Sequence, residues 1–315
     1  MLLLGPLRPS DVRPTARERS AGARKTPRGA PASPALHSGA MFGSFTPVSR
    51  RHPFLRPELH PRAFAHRGWH IDELAGMENS LSAFRRAVRE GFQYLETDVH
   101  ATSDGVAVVH HDSDLRRTTD SVGEIRRHRW SAVAAARIGG REPVCSLDQL
   151  LEELPEALLN IDVKADSAVV ATLRTIRRHD AWHRVCLAGF SDRRLGVLRT
   201  HGDPRLLTSM GPLEIGRLWS GSRPGAALLT ATVRGGALPR GVAAQVPRQH
   251  RGLRVVDRRF VERAHAKSTE VHVWTVDEPT EMAELLDTGV DGLLTDRPDL
   301  LRGLLRQRGQ WPTVR

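Results

Sequence analysis

Several residue types and motifs are scarce in this 315-residue chain, and each scarcity excludes a class of protein. Its two cysteines, Cys145 and Cys186, are far apart and lack metal-ligand spacing, so we interpret both as small buried residues in a reducing compartment. No apolar run approaches the roughly 18 residues of a membrane span, and no convincing signal peptide opens the chain. We therefore expect a cytoplasmic protein without a transmembrane segment. The lack of GxGxxG, Walker, GxSxG and CxxC motifs excludes the corresponding nucleotide-binding, hydrolase and redox sites.

The net charge of +11 is concentrated at the N-terminus. Residues 1–63 hold 11 of the 47 Lys/Arg but only 3 of the 36 Asp/Glu. Because this segment is rich in Arg, Pro, Ala, Ser and Gly and has no apolar periodicity, we predict a disordered extension over residues 1–62. Met41 is an alternative start, which would make residues 1–40 an upstream artefact. No aromatic residues are interleaved with its arginines, so specific nucleic-acid recognition is not expected, although a weaker affinity for anionic surfaces remains open.

From residue 63 onward, short apolar runs alternate with segments of helical period. The predicted strands span 63–66, 94–99, 158–163, 185–190, 206–209, 242–246, 271–276 and 292–295, and the predicted helices span 80–90, 147–153, 193–200, 213–219, 259–266 and 280–286. Repeated strand–helix units indicate an α/β fold with a parallel sheet. We predict a (β/α)8 TIM barrel over residues 63–306 with a C-terminal tail at 307–315; an open doubly wound sheet is the alternative.

Three segments depart from this even spacing. Residues 105–111 resemble an extra strand that forms a hairpin with the second barrel strand and returns His111 toward the mouth. Residues 120–142 are interpreted as a loop or small insertion over the active face. Residues 220–240, which contain several Gly and Pro, are expected to frame the substrate.

Acidic side chains interrupt strands that would otherwise be buried on both faces. Glu96 and Asp98 project to the same side of one strand, as do Asp162 and Lys164 of the next. Neighbouring carboxylates repel one another unless a cation or a proton lies between them. We therefore predict that Glu96, Asp98 and Asp162 bind one divalent cation, Mg²⁺ or Ca²⁺, with Mn²⁺ as a further candidate. The alternative is a set of ordinary exposed acids.

Two histidines lie beside these carboxylates at predicted strand ends. Phosphodiester cleavage needs a base for the attacking oxygen and an acid for the leaving alkoxide, and imidazole suits both tasks. We predict that His66 and His111 form this pair. His110 is the weaker candidate because adjacent strand positions point to opposite faces, and His70 is expected at the surface.

Arg67 and Lys164 supply the positive charge that a phosphoryl group requires. Either side chain could instead neutralise the nearby acids without contacting substrate. Trp274, near the end of a predicted strand, would wall the pocket or fill the barrel interior.

Taken together, the motifs resemble the glycerophosphodiester phosphodiesterase family. They are His66-Arg67-Gly68, Glu78-Asn79-Ser80, Glu96-Thr97-Asp98-Val99, Asp104-Gly105, His111-Asp112 with Leu115 and Arg117-Thr118-Thr119, Val273-Trp274-Thr275-Val276, and residues 289–298. The resemblance implies a TIM barrel that uses a divalent cation to hydrolyse small-molecule glycerophosphodiesters to an alcohol and glycerol 3-phosphate. It also implies the site roles above, with Glu78 and Asn79 in support. Two positions depart from the family pattern: Met77 replaces a proline, and Asp162 replaces a glutamate, which leaves the metal preference open.

Two other functions compete with this prediction. The same barrel and histidines would serve a lysophospholipase D-like or cyclising phospholipase, in which the substrate's own hydroxyl attacks phosphorus. A non-catalytic protein that binds lipid or anions is the alternative of another class, but it predicts the loss of at least one catalytic residue. The substrate head group and the oligomeric state are not predicted.

Overall fold

A computed structural model describes residues 52–223 and 241–312. Eight parallel strands form its central barrel: β1 Arg62–His66, β2 Tyr94–Ala101, β3 Leu158–Val163, β4 Val185–Ala188, β5 Leu207–Thr208, β6 Ala243–Pro247, β7 Glu270–Trp274 and β8 Gly292–Thr295. The strands are ordered β5-β4-β3-β2-β1-β8-β7-β6, and a parallel bridge between Ser209 and Ala243 joins the two ends. The TIM-barrel prediction is therefore confirmed, and the alternative of an open sheet is wrong.

The described helices are α1 Leu81–Arg89, α2 Trp130–Ala135, α3 Leu147–Glu153, α4 Ala168–Arg178, α5 Asp192–His201, α6 Pro212–Gly221, α7 Arg258–His265, α8 Pro279–Thr288 and α9 Pro298–Gln307. Side chains cap several of them: Ser80 accepts from the backbone of Ala83, and Ser146 and Gln149 form a capping box. Helices α2, α4 and α9 were not predicted. In α4, β-branched Val169 and Val170 obscure the helical period, and burial of its inner face against β2 and β3 overrides their weak propensity.

The barrel body begins before the predicted boundary at residue 62. Phe54, Leu55 and Leu59 are buried at the amino end of the barrel, where the Phe54 ring packs against Tyr94 at 5.3 Å. Residues 52–61 therefore belong to the barrel body, because their apolar side chains close its base. The rest of the predicted extension, residues 1–51, lies outside the described residues. Trp311, in the predicted C-terminal tail, also packs against the barrel body, since its ring centroid lies 5.0 Å from that of Phe92.

Loops at the carboxyl ends of the strands surround the mouth. Strand Ala107–Val109 pairs antiparallel with β2, which confirms the predicted hairpin. The predicted insertion contains α2 and a small hairpin of Arg137–Ile138 with Glu142–Pro143, built on its own apolar cluster. Most of the expected substrate-framing segment, residues 224–240, lies outside the described residues. Within the two described ranges, no helix has the length and apolar character needed to cross a membrane.

Candidate active site

A cavity of about 200 Å³ opens at the carboxyl ends of the barrel strands. In parallel barrels this end carries the catalytic residues, because the strand ends and their following loops converge there. Eight of the ten predicted site residues line the cavity: His66, Arg67, Glu96, Asp98, His111, Asp162, Lys164 and Trp274. The remaining two, Glu78 and Asn79, lie behind it and contact the residues that line it.

His66 ends β1 and is held by a carboxylate from the opposite end of the chain. Its Nδ1 lies 2.6 Å from Oδ1 of Asp296, which follows β8, and its Nε2 lies 3.6 Å from Oε2 of Glu96. Burial alone would lower the pKa of His66, but Glu96 and Asp296 together raise it. The prediction that His70 is a surface residue is wrong, because its Nε2 lies 3.1 Å from the same oxygen of Asp296 and only 16% of its side chain is exposed.

His111 follows the strand Ala107–Val109 and has a carboxylate partner of its own. Its Nδ1 lies 2.6 Å from Oδ1 of Asp112. Asp112 is in turn bonded by the Arg117 guanidinium, whose hydrogen bond is the largest of the effects that hold the pKa of this carboxyl well below its usual range. A carboxylate at Nδ1 fixes the tautomer that leaves Nε2 for proton transfer. His110 instead bonds Thr118 and the carbonyl of Asp112 away from the cavity, as strand alternation predicts.

The predicted metal ligands stand on neighbouring strands in matching register. Asp98 of β2 is the direct partner of Asp162 on β3. The Lys164 ammonium lies 2.9 Å from Asp98 Oδ1 and 2.9 Å from Asp162 Oδ2, and Arg67 Nε lies 3.2 Å from Asp98 Oδ2. The two basic side chains therefore contact Asp98 and Asp162 directly. Glu96 has instead a looser contact with His66 and accepts a hydrogen bond from the backbone N–H of Arg67 at 3.3 Å.

The electrostatics of these carboxyls differ because their partners differ. Burial and the neighbouring charge of Asp98 raise the pKa of Glu96 to about 8. Burial would also raise the pKa of Asp98, but Lys164 and Arg67 overcome that effect and lower it. The surroundings of Glu96 and Asp98 therefore move their pKa values in opposite directions.

Only part of the arrangement fits a divalent cation. Three buried carboxyls on adjacent strands offer hard oxygen donors, and among the described residues Asp162 Oδ1 has no hydrogen-bond partner. However, Lys164 takes one oxygen from each aspartate, and the described residues contain no group of three His, Cys, Asp or Glu side chains placed to hold a metal. The donor chemistry fits the predicted cation, and the choice of all three ligands remains a prediction.

Glu78 and Asn79 lie behind the cavity and form hydrogen bonds with Arg67 and Asp98, two of the charged residues that line it. Glu78 Oε1 accepts from Arg67 Nη1 at 2.9 Å. Asn79 donates to Asp98 at 3.0 Å, accepts from Thr97 at 2.8 Å, and its backbone N–H donates to the carbonyl of Arg67. Their placement supports the orientation of Arg67 and Asp98.

The opposite wall of the cavity is apolar and includes Trp274. Its ring meets Phe190 edge to face at 5.6 Å, and Phe190 remains 63% exposed at the rim. Trp274 lines the cavity and also packs against the buried cluster inside the barrel, so the structure shows both of the placements considered for it. The other apolar residues of this wall are Met210, Pro212, Ile215 and Leu294.

Sequence reasoning assigned no role to Asp296, Asp112 or Arg117, and it missed Phe190 and Gln245. One signal was available for Asp296, because it is a carboxylate directly after a buried strand. The contacts of Arg117 had no such signal, since they depend on how the loop after His111 folds back over Glu78.

The barrel and this arrangement of histidines, basic side chains and carboxylates define a phosphoric diester hydrolase. The model of the “Glycerophosphoryl diester phosphodiesterase family” matches residues 66–300, and the chain belongs to that family. It is 40% identical, over 79% of its length and 92% of the relative, to a Mycobacterium tuberculosis protein named “Probable glycerophosphodiester phosphodiesterase 2”.

Solved structures share the fold. A glycerophosphodiester phosphodiesterase from Agrobacterium tumefaciens superposes with a TM-score of 0.60 at 24% identity, covering 78% of this chain and 99% of that one. An Oleispira antarctica phosphodiesterase, solved with the product sn-glycerol-3-phosphate, gives 0.61 at 18% identity, covering 79% and 98%.

Proposed function

We propose that this protein hydrolyses glycerophosphodiesters to an alcohol and sn-glycerol 3-phosphate with the help of a divalent cation. The observation that carries the proposal is the pair of histidines that line one cavity, each with Nδ1 bonded at 2.6 Å to its own carboxylate. Membership in the family and the name of the 40% identical relative support the substrate class.

The two histidines divide the proton transfers. One imidazole takes the proton of the attacking water through Nε2, and the other gives a proton to the departing alkoxide. Asp296 and Asp112 hold the rings in position, and Asp296 also stabilises the positively charged form of His66. Arg67 and Lys164 place positive charge beside the phosphoryl oxygens, where negative charge develops during displacement.

Glu96, Asp98 and Asp162 would hold the cation. When bound, a divalent ion would supply positive charge that offsets the negative charge of the phosphoryl group. Neighbouring residues prepare Asp98 for this role. Lys164 and Arg67 keep its carboxyl ionised, and Asn79 fixes its orientation.

The direct test is release of glycerol 3-phosphate from glycerophosphocholine and glycerophosphoethanolamine with Mg²⁺, Ca²⁺, Mn²⁺ or EDTA present. We expect release that depends on the metal and is abolished by EDTA. No release of glycerol 3-phosphate by folded, metal-supplemented protein would contradict the proposed substrate. Asp162→Glu, which restores the family's usual residue, is the matched variant, and we expect it to change the order of preference among the cations.

A second candidate substrate class is favoured by the apolar wall. Phe190 and Trp274 form an apolar surface that extends from the charged groups to the exposed rim of the cavity. Such a surface suits a phosphodiester that carries an acyl chain. That activity would be lysophospholipase D-like, or cyclising if the substrate's hydroxyl attacks phosphorus.

Comparison of lysophosphatidylcholine with glycerophosphocholine distinguishes the two classes. If the acyl chain lies on this wall, Phe190→Ala lowers kcat/KM for the lipid about 5-fold more than it lowers kcat/KM for glycerophosphocholine. Val170→Ala, at an equally exposed position on α4, is the control. Equal effects on both substrates would contradict an acyl site, and a cyclic phosphate among the products would identify the cyclising reaction.

A further inference from the structure

Arg117 lies beside the active site and bonds two of its carboxylates, Asp112 and Glu78. Its side chain is 47% exposed and contacts none of the barrel strands through a hydrogen bond. Instead it donates to two carboxylates that each hold a different functional side chain. Nε and Nη2 reach Asp112 at 2.6 and 3.1 Å, and Nη1 and Nη2 reach Glu78 at 2.8 and 2.7 Å.

Each of these carboxylates has a second partner inside the cavity. Asp112 Oδ1 is 2.6 Å from Nδ1 of His111, the predicted acid or base. Glu78 Oε1 accepts from Arg67 Nη1 at 2.9 Å, and Arg67 is a predicted phosphate-binding residue. A continuous chain of hydrogen bonds therefore runs from the proton-transfer group to the phosphate-binding group, and Arg117 is its central link.

We propose that Arg117 is a positioning residue that fixes His111 relative to Arg67. This inference rests on the proposed function, because it takes His111 as a proton-transfer group and Arg67 as a phosphate ligand. An arginine suits the task, since its planar fork can bond two carboxylates at once and cannot lose its charge. A lysine at this position would reach only some of the carboxylate oxygens of Asp112 and Glu78.

The electrostatics agree with this geometry. Burial, the largest single effect on Glu78, would raise its pKa, yet Arg117 and Arg67 together lower it. The pKa of Asp112 is lowered chiefly by the hydrogen bond from Arg117. Both carboxylates therefore stay ionised and can hold His111 and Arg67 while Arg117 remains between them.

The test compares Arg117→Ala and Arg117→Lys with Arg116→Ala. Arg116 is the adjacent exposed arginine and loses the same charge, so it is the matched control. Small displacements of catalytic groups cost about 100-fold. We expect Arg117→Ala to lower kcat about 100-fold, Arg117→Lys to recover about a tenth of wild-type kcat, and Arg116→Ala to leave it unchanged. Full recovery by lysine would overturn the proposal, because charge alone would then suffice.

Double variants separate positioning from direct contact with substrate. If Arg117 acts through Asp112 and Glu78, adding Arg117→Ala to Asp112→Asn or Glu78→Gln lowers kcat by less than about 3-fold further, because the link is already broken. Multiplicative losses in both pairs would overturn the proposal.

A binding measurement keeps the inference independent of turnover. Calorimetry with inorganic phosphate, with Arg67→Ala as the reference for a lost ligand, should show about 5-fold weaker binding to Arg117→Ala than to wild type. Equal affinity in both proteins, including no measurable affinity in either, would overturn the Arg117 proposal. Wild-type protein that binds phosphate but hydrolyses no glycerophosphodiester would instead contradict the proposed function.

Discussion

The two ends of the barrel carry similar charged side chains, but they differ in how completely those side chains are paired. At the amino end, Arg62 is only 3% exposed and forms a bidentate pair with Glu270 at 2.7 and 2.6 Å. Tyr94 and His272 complete the network. Arg184 is similarly enclosed and donates to three main-chain carbonyls, those of Leu151, Leu154 and Ala157.

At the carboxyl end, the pairing is incomplete. Asp162 Oδ1 lacks a hydrogen-bond partner among the described residues, and the pKa of Glu96 is raised to about 8 by burial and by Asp98. Buried polar groups without partners cost free energy, so such groups persist where they contact a ligand or a reacting atom. The same residue types therefore stabilise the fold at one end and remain available for chemistry at the other.

The largest effect that separates the two ends is expected from the catalytic histidines. His66→Ala and His111→Ala should each lower kcat/KM by about 10³- to 10⁴-fold, because each removes a proton-transfer group. Thermal unfolding should change little. His201→Ala, at the exposed end of α5, is the control and should retain full activity. Near wild-type turnover in either active-site variant would remove that histidine from the mechanism.

At the amino end, the expected loss is in stability. Arg62→Met leaves the partly buried Glu270 without its bidentate partner, which should lower the free energy of unfolding by about 3 kcal/mol. Denaturant unfolding measures this change, and the kcat of the folded fraction should be retained. Arg85→Met breaks an exposed pair with Glu153 and should cost no more than about 0.5 kcal/mol. Equal losses in the two variants would contradict the contrast between buried and exposed pairs.

A charge-removing change at Asp296 tests whether the carboxylate beside His66 acts on the reaction or on the fold. Asp296→Asn keeps the size of the side chain but removes the charge that stabilises the imidazolium, so kcat should fall about 100-fold with little change in KM. The melting temperature should not change, because 39% of this side chain is exposed. Asp299→Asn, whose carboxylate pairs with Arg297 nearby, is the control. A loss of melting temperature that accounts for the lost activity would make Asp296 a structural residue.

The smallest expected effect is the pH dependence contributed by Glu270. Burial would raise its pKa, but the hydrogen bonds from His272 and Arg62 lower it to about 2. Because the folded pKa lies below the unfolded value of about 4.3, the stabilisation is complete above that pH and is lost as pH falls toward about 2.

Comparison of wild type with Glu270→Gln isolates this contribution. The gap between their free energies of unfolding should narrow by about 2 kcal/mol as pH falls from 6 to about 2.5, allowing for the partial exposure of the side chain. Denaturant unfolding at several pH values measures the gap. A gap that stays constant with pH would contradict the low pKa.

Much of the fold and the principal residues of the candidate site were predictable from local patterns. The alternation of apolar runs with helical segments indicated repeated βα units, and the acids at strand positions 96, 98 and 162 marked one face of the sheet. Side-chain alternation placed His111 toward the cavity and His110 away from it. These predictions succeeded because strand period and βα connection are set by neighbouring residues.

Other features depended on contacts between residues far apart in the chain. Nothing local connects His66 with Asp296, which is 230 positions away, or shows that His70 bonds the same carboxylate. The composition of residues 52–61 did not indicate that Phe54 and Leu59 close the base of the barrel. Direct parallel pairing of β1 with β8 brings His66 to Asp296, because it places the first and last strands of the barrel side by side. The sequence by itself determined the repeating units and the residue types of the site; only the closed barrel decided which charges are paired and which remain free for chemistry.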